Sequence, residues 1–158
     1  MTPTVSTPHT VLPRRGDVMT VSFAVTPRPR GARPSSEDAA RVGAMRRITA
    51  ARLKYCGLET MNSDVTLIVS ELLTNALLHS GTTEISLTVT VEDGFLRIAV
   101  RDGMPGSATP KTPDDKDECG RGLQLVQALV EESGGFWGTG DNGAETWCSL
   151  VIPRGAVP

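Results

Sequence analysis

No stretch of this 158-residue chain approaches the ~20 consecutive apolar residues of a membrane span. The Thr-, Pro- and Arg-rich residues 1–17 lack the apolar run of a signal peptide. A cytoplasmic protein with no membrane contact is the expectation. An excess of one charge is missing as well: 16 Lys and Arg against 18 Asp and Glu leave a formal net charge of −2, which gives no bulk attraction to nucleic acid. Cysteine is scarce. Cys56, Cys119 and Cys148 are odd in number and widely spaced, which fits neither a disulfide framework nor a zinc site, so they read as reduced thiols. There is no internal repeat and no low-complexity block. What is there is 39% hydrophobic, in a length that makes one domain with a real core. The expected organisation is a disordered tail over 1–17, one domain over 18–153 and a short C-terminal tail over 154–158.

Residues 18–25 alternate loosely and are bounded by Pro27, Pro29 and Gly31, so a strand is expected there, followed by a Pro- and Arg-rich linker. Ser35 or Ser36 can cap a helix, with Glu37 and Asp38 at its positive end and Gly57 as its stop after Cys56. A second helix starts near residues 62–64 and ends at His79. Residues 83–91 and 95–101 form two strands around Glu92-Asp93-Gly94, a hairpin signal, with Ile85, Leu87, Val89 and Val91 on one face. Residues 102–118 follow, with three prolines, two glycines and six charged side chains after the leading aspartate. A segment of that length without periodicity is more typical of a functional lid than of a plain connection. A third helix is expected over 122–132, and a final hairpin pairs 136–139 with 145–152 around Asp141-Asn142-Gly143. Strand, two helices, hairpin, lid, helix, hairpin implies an α/β two-layer sandwich, with helices on one face of a mixed, mainly antiparallel sheet.

Three sites stand out. In the second helix Glu71, Asn75 and His79 lie four residues apart and so share about 80° of arc, on the side that also carries Val65, Ile68, Leu72 and Ala76. Burying a carboxamide without a partner costs roughly 2–7 kcal/mol, and a charge costs more. A metal, a ligand or a satisfied polar network must therefore compensate. Ser70 and Thr74 project to the other side, toward solvent. Asp102, at a strand end and followed by Gly103 and Gly106, can aim its carboxylate into a pocket while the backbone turns away. Gly120-Arg121-Gly122-Leu123 opens the third helix, where glycines let backbone N–H groups approach an anion. Each of the last two is weak alone, since Asp-Gly is also an ordinary turn.

The conjunction is specific. Glu-x-x-x-Asn on a helix, Asp-Gly at a strand end, a lid and Gly-x-Gly-Leu at a helix start resemble the Bergerat ATP-binding fold of the GHKL family, which comprises gyrase B, Hsp90, histidine kinases and MutL. The short form, and the phrases Val69-Ser70-Glu71-Leu72-Leu73-Thr74-Asn75-Ala76 and Gly120-Arg121-Gly122-Leu123-Gln124-Leu125-Val126, look like the anti-sigma-factor serine/threonine kinases among small actinobacterial regulators. The resemblance covers about residues 35–152. It implies ATP and Mg²⁺ as cofactors, with Asn75 as the metal ligand and Glu71 as general base. It further implies that Asp102 accepts from the adenine amino group, that Gly106 lets the lid pass the base, and that Gly120 and Gly122 offer amides to the phosphates. Arg121 would add charge there or face solvent. His79 has no clear family role and reads as helix-end packing or a phosphate-side contact. Lys111 and Lys116 are solvated or meet phosphates. Arg46, Arg47 and Arg52 form a solvated face or a partner-docking surface.

Three departures from the family pattern matter. Met104 replaces the first glycine of Asp-x-Gly-x-Gly. Gly143-Ala144-Glu145-Thr146-Trp147 stands where a Gly-Lys-Thr-x-Trp phrase is common, so a basic residue is missing and an acidic one is adjacent. The Gly-x-Gly motif also lacks a further glycine-rich extension. The resemblance implies a kinase that phosphorylates an anti-sigma-factor antagonist of the STAS type and sequesters a sigma factor, with possible homodimerisation. The other reading is a nucleotide-gated partner-binding module with little or no turnover. A sensor histidine kinase is not expected, for want of a dimerisation helix pair carrying a phosphorylatable histidine. A gyrase- or MutL-type machine is not expected either, for want of a transducer domain.

Overall fold

The computed structural model describes residues 15–26, 33, 35–79, 83–102 and 118–153. Five strands and three α-helices run in the order β1 (Arg15–Ala24), α1 (Ser36–Tyr55), α2 (Asn62–His79), β2 (Glu84–Glu92), β3 (Phe95–Arg101), α3 (Glu118–Glu132), β4 (Phe136–Gly140) and β5 (Glu145–Val151). Single 3-10 turns, Glu59–Met61 and Asp141–Gly143, precede α2 and β5.

Most boundaries have a local cause. Ser35 caps α1, its hydroxyl accepting from the Asp38 N–H at 3.0 Å. Glu37 and Asp38 sit at the positive end of that helix and Arg52 and Lys54 at the negative end. Gly57 follows with φ +77°, a conformation that costs glycine nothing. Asp93 at φ +48° and Gly94 at φ +86° close the β2–β3 hairpin with both central residues left-handed, the turn that matches strand twist.

Two boundaries differ from the sequence pattern. β1 begins at Arg15, so residues 15–17, read above as the end of a disordered tail, pair with Glu92, Val91 and Thr90. A register shift between Asp17 and Met19 inserts Val18 as an extra residue, and both Val18 and Met19 are buried. This bulge breaks the two-residue alternation that marks a strand in sequence. α3 begins at Glu118, four residues before the expected start at residue 122, because glycine in the first turns does not stop a helix that is packed on a neighbour.

The sheet order is β1-β2-β3-β5-β4 and every pairing is antiparallel, in keeping with the mainly antiparallel sheet expected, with no parallel pair among the described residues. The hairpins β2–β3 and β4–β5 fix two pairings, and β5 enters between β3 and β4, antiparallel to both. The architecture is the expected two-layer α/β sandwich: α1 packs on β1, α2 on β3, and α3 on β4 and β5. Between the layers lie Ile85, Leu87, Val89, Leu96, Ile98, Cys148 and Leu150 from the sheet, and Leu53, Val65, Ile68, Leu72 and Val130 from the helices. On the other face Phe136 lies tilted against Phe95 (5.6 Å) and edge-to-face with Trp147 (6.0 Å), and the Arg97 guanidinium lies 5.1 Å from the Trp147 ring. Among the described residues no helix is long and apolar enough to cross a membrane.

Candidate functional site

The two helices over the sheet centre run antiparallel. The start of α2 (Asp64), the end of α3 (Leu129, Glu132) and the end of β5 (Leu150, Val151) line one cavity. The opposite pole therefore gathers the C-terminal half of α2, the first turns of α3, the end of β3 and the start of β5. All the described residues singled out in the sequence for nucleotide chemistry belong to these segments.

Asn75 is buried, 6% exposed, on the inward side of α2 with Ile68, Leu72 and Ala76. Glu71, one turn earlier, is half-buried. Ser70 and Thr74, expected in solvent, are half-buried too. The Glu71 carboxylate lies against α3 at Gly122: a Cβ on that glycine would stand 2.5 Å from Glu71 Oε2. Burial pushes the Glu71 carboxyl up from its ordinary value of 4.5, since desolvation disfavours the charged form.

The earlier start of α3 redistributes the roles expected of its glycines. Gly120 is in the first turn, whose N–H groups lack helical carbonyl partners. Gly122, two residues on, lies past the first turn, where its N–H points to the Glu118 carbonyl, and its missing side chain leaves room for Glu71. Leu123, expected in the nucleotide site, is 8% exposed and belongs to the hydrophobic core.

Asp102 is buried directly after β3, its N–H donating to the Ala144 carbonyl at 2.9 Å. Val100 pairs with Thr146, so alternation puts Thr146 on the same, helix-facing side of the sheet as Asp102. Thr146 is a buried hydroxyl, 6% exposed, that the sequence reading did not single out. The available signal was the alternation Thr146, Cys148, Leu150, which places a polar side chain in the core row.

The acidic departure at Glu145 falls elsewhere. Its carboxylate meets Arg97 at 3.4 Å on the face away from the helices, while Ala144 is buried beside Asp102. Arg101 pairs with Asp141 on the same rim. Cys148 is buried and its thiol is pushed up to about 12 by desolvation, against the opposing effects of a backbone hydrogen bond from Ile98 and the Arg97 charge. Such a thiol is inert. Gly106, Met104, Lys111 and Lys116 lie outside the described residues, as do the side chains of His79 and Arg121.

Residues 35–147 match the histidine kinase-like ATPase domain family. No curated protein matches the chain. Among solved structures, the chain is similar to the histidine kinase domain of a blue-light activated histidine kinase from Erythrobacter litoralis, at 20% identity and a TM-score of 0.49. That likeness covers 73% of this chain and 63% of the other. The chain belongs to the histidine kinase-like ATPase domain family.

Proposed function

We propose that the chain is an ATP- and Mg²⁺-dependent regulator that transfers the γ-phosphoryl group to a serine or threonine of a STAS-type anti-sigma-factor antagonist, and that it also sequesters a sigma factor. The observation that carries the reading is the placement of Glu71: half-buried, its carboxyl pushed upward, one turn from buried Asn75 and held against a glycine that leaves it room. A carboxylate with raised proton affinity suits proton abstraction from a hydroxyl near neutral pH, a contribution of roughly 10²–10⁴-fold.

The residues present fit the cofactor. Asn75 supplies an oxygen of the kind a hard cation takes while keeping several waters. The first turn of α3 presents to an anion N–H groups that lack helical carbonyl partners, and the buried Asp102 carboxylate is an acceptor suited to the adenine amino group. Bound Mg²⁺ neutralises phosphate charge, the main need of phosphoryl transfer beyond positioning. The reading of a nucleotide-gated module without turnover draws mild support from the altered start of the final strand, where a basic residue is missing and Glu145 is adjacent. The pairing of Glu145 with Arg97 on the open face turns its charge away from the candidate site, which leaves the missing basic residue as the support for that reading.

Incubation with γ-labelled ATP, Mg²⁺ and antagonist domains from the same genome tests the proposal. Label should move to one serine or threonine, and Glu71→Ala should stop the transfer while leaving ATP affinity largely intact. A tight ATP-dependent complex without transfer would replace the kinase by the module.

A further inference from the structure

The cavity at the pole opposite Asn75 measures about 410 Å³, within the usual range of small-molecule sites. From Asp64 to Asn75 the chain rises about 16 Å along α2, so this is a separate place on the molecule. Its floor is apolar, from Met61, Leu129 and Leu150. Its polar groups are the hydroxyls of Thr60 and Ser133 and the carboxylates of Asp64 and Glu132, and among the described residues no basic side chain lines it. The Ser133 hydroxyl donates to the Val130 carbonyl at 2.9 Å, which leaves its oxygen as an acceptor.

Helix electrostatics supplies a second observation. Asp64 suits the positive start of α2. Glu132 does not suit its place: it ends α3 at the negative pole of the helix, directly after Glu131, with no basic residue in the last turn. Glu131 has Gln127 as a hydrogen-bond donor at 3.4 Å, whereas neither Glu132 nor Asp64 has an ion-pair partner among the described residues. The cavity thus combines an apolar floor, two carboxylates and a helix C-terminus, all of which favour positive charge on an apolar body.

We propose that this cavity binds a small organic cation, an ammonium or guanidinium group carried on an apolar stem. The stem covers Met61, Leu129 and Leu150, and the cationic head lies between Asp64 and Glu132 at the end of α3. This site is independent of the nucleotide reading and stands or falls without it.

The test uses the full chain and three probes of one shape: 2-phenylethylammonium, the neutral 2-phenylethanol and the anionic 3-phenylpropionate. Binding is read from backbone amide shifts of Thr60, Ser133 and Val151. The cation should give saturable shifts at these residues and bind roughly tenfold more tightly than the alcohol, the anion least of all. The double variant Asp64→Asn with Glu132→Gln, checked for native shift dispersion, should bring the cation down to the affinity of the alcohol. Equal affinity of cation and alcohol, an unchanged affinity in the double variant, or shifts confined to Glu71, Asn75 and Gly122 would overturn the proposal.

Discussion

One absent methyl group, at Gly122, decides where the Glu71 carboxylate can lie. The nearest atom to a Cβ at that position is the end of a flexible side chain, at 2.5 Å, so an alanine would be accommodated by rotating the carboxylate away and not by distorting the helix. Alanine in a helix interior is also favoured over glycine by about 1 kcal/mol. The two effects act on different observables. Gly122→Ala should fold with unchanged or higher thermal stability, while the rate of the proposed phosphoryl transfer falls on the order of 10²-fold, the usual consequence of displacing a reacting group, here the proposed base Glu71, by about an ångström. Single-turnover rates beside calorimetric ATP affinity make the comparison. A variant that transfers at the wild-type rate would separate Glu71 placement from the α2–α3 approach.

At the scale of elements, the features legible in sequence are those set by local chemistry, and the start of α1 is the test case. The Ser35 hydroxyl holds the Asp38 N–H, and the Asp38 carboxylate, 1% exposed, accepts from the Thr26 N–H at 3.4 Å. One cap thus fastens α1 and the end of the segment after β1 together. Ser35→Ala should cost about 1 kcal/mol and lower the melting temperature by about 3–5 °C, measured by calorimetry against wild type. The Gly57 stop and the Asp93-Gly94 turn were legible for the same reason, and so was the polar stripe of α2, because four-residue spacing is a property of the helix itself. The bulge at Val18 was not legible, since an extra residue is meaningful only against its partner strand. The first turn of α3 was hidden by glycines that signal a break in isolation and a close approach in the packed molecule. Glu145 and Thr146 show the limit most clearly: adjacent in sequence, they face opposite sides of the sheet, and while alternation with Cys148 and Leu150 assigns Thr146 to the core row, only the register with Val100 places it beside Asp102.

At the scale of the whole molecule, the candidate nucleotide pole is held together by elements that do not touch consecutively in sequence. α2, α3 and the β3–β5 pair each contribute, and they meet through α2–α3, α2–β3 and α3–β5 packing. A ligand spanning them ties the two layers of the sandwich to each other, so its binding free energy adds to the stability of the domain as a unit. Mg·ATP at about a hundred times its dissociation constant should stabilise the fold by about 2.7 kcal/mol, a rise in melting temperature of about 10 °C for a domain of this size. The rise should need both ATP and Mg²⁺. It should be lost in Asn75→Ala, whose own melting temperature without nucleotide serves as the baseline, because replacing a buried carboxamide also changes the stability of the nucleotide-free fold. Differential scanning fluorimetry across ATP concentrations, with EDTA as the metal-free arm, reads the shift directly. An undiminished shift in Asn75→Ala would take the cation away from α2 and, with it, the reason a carboxamide is buried on that face.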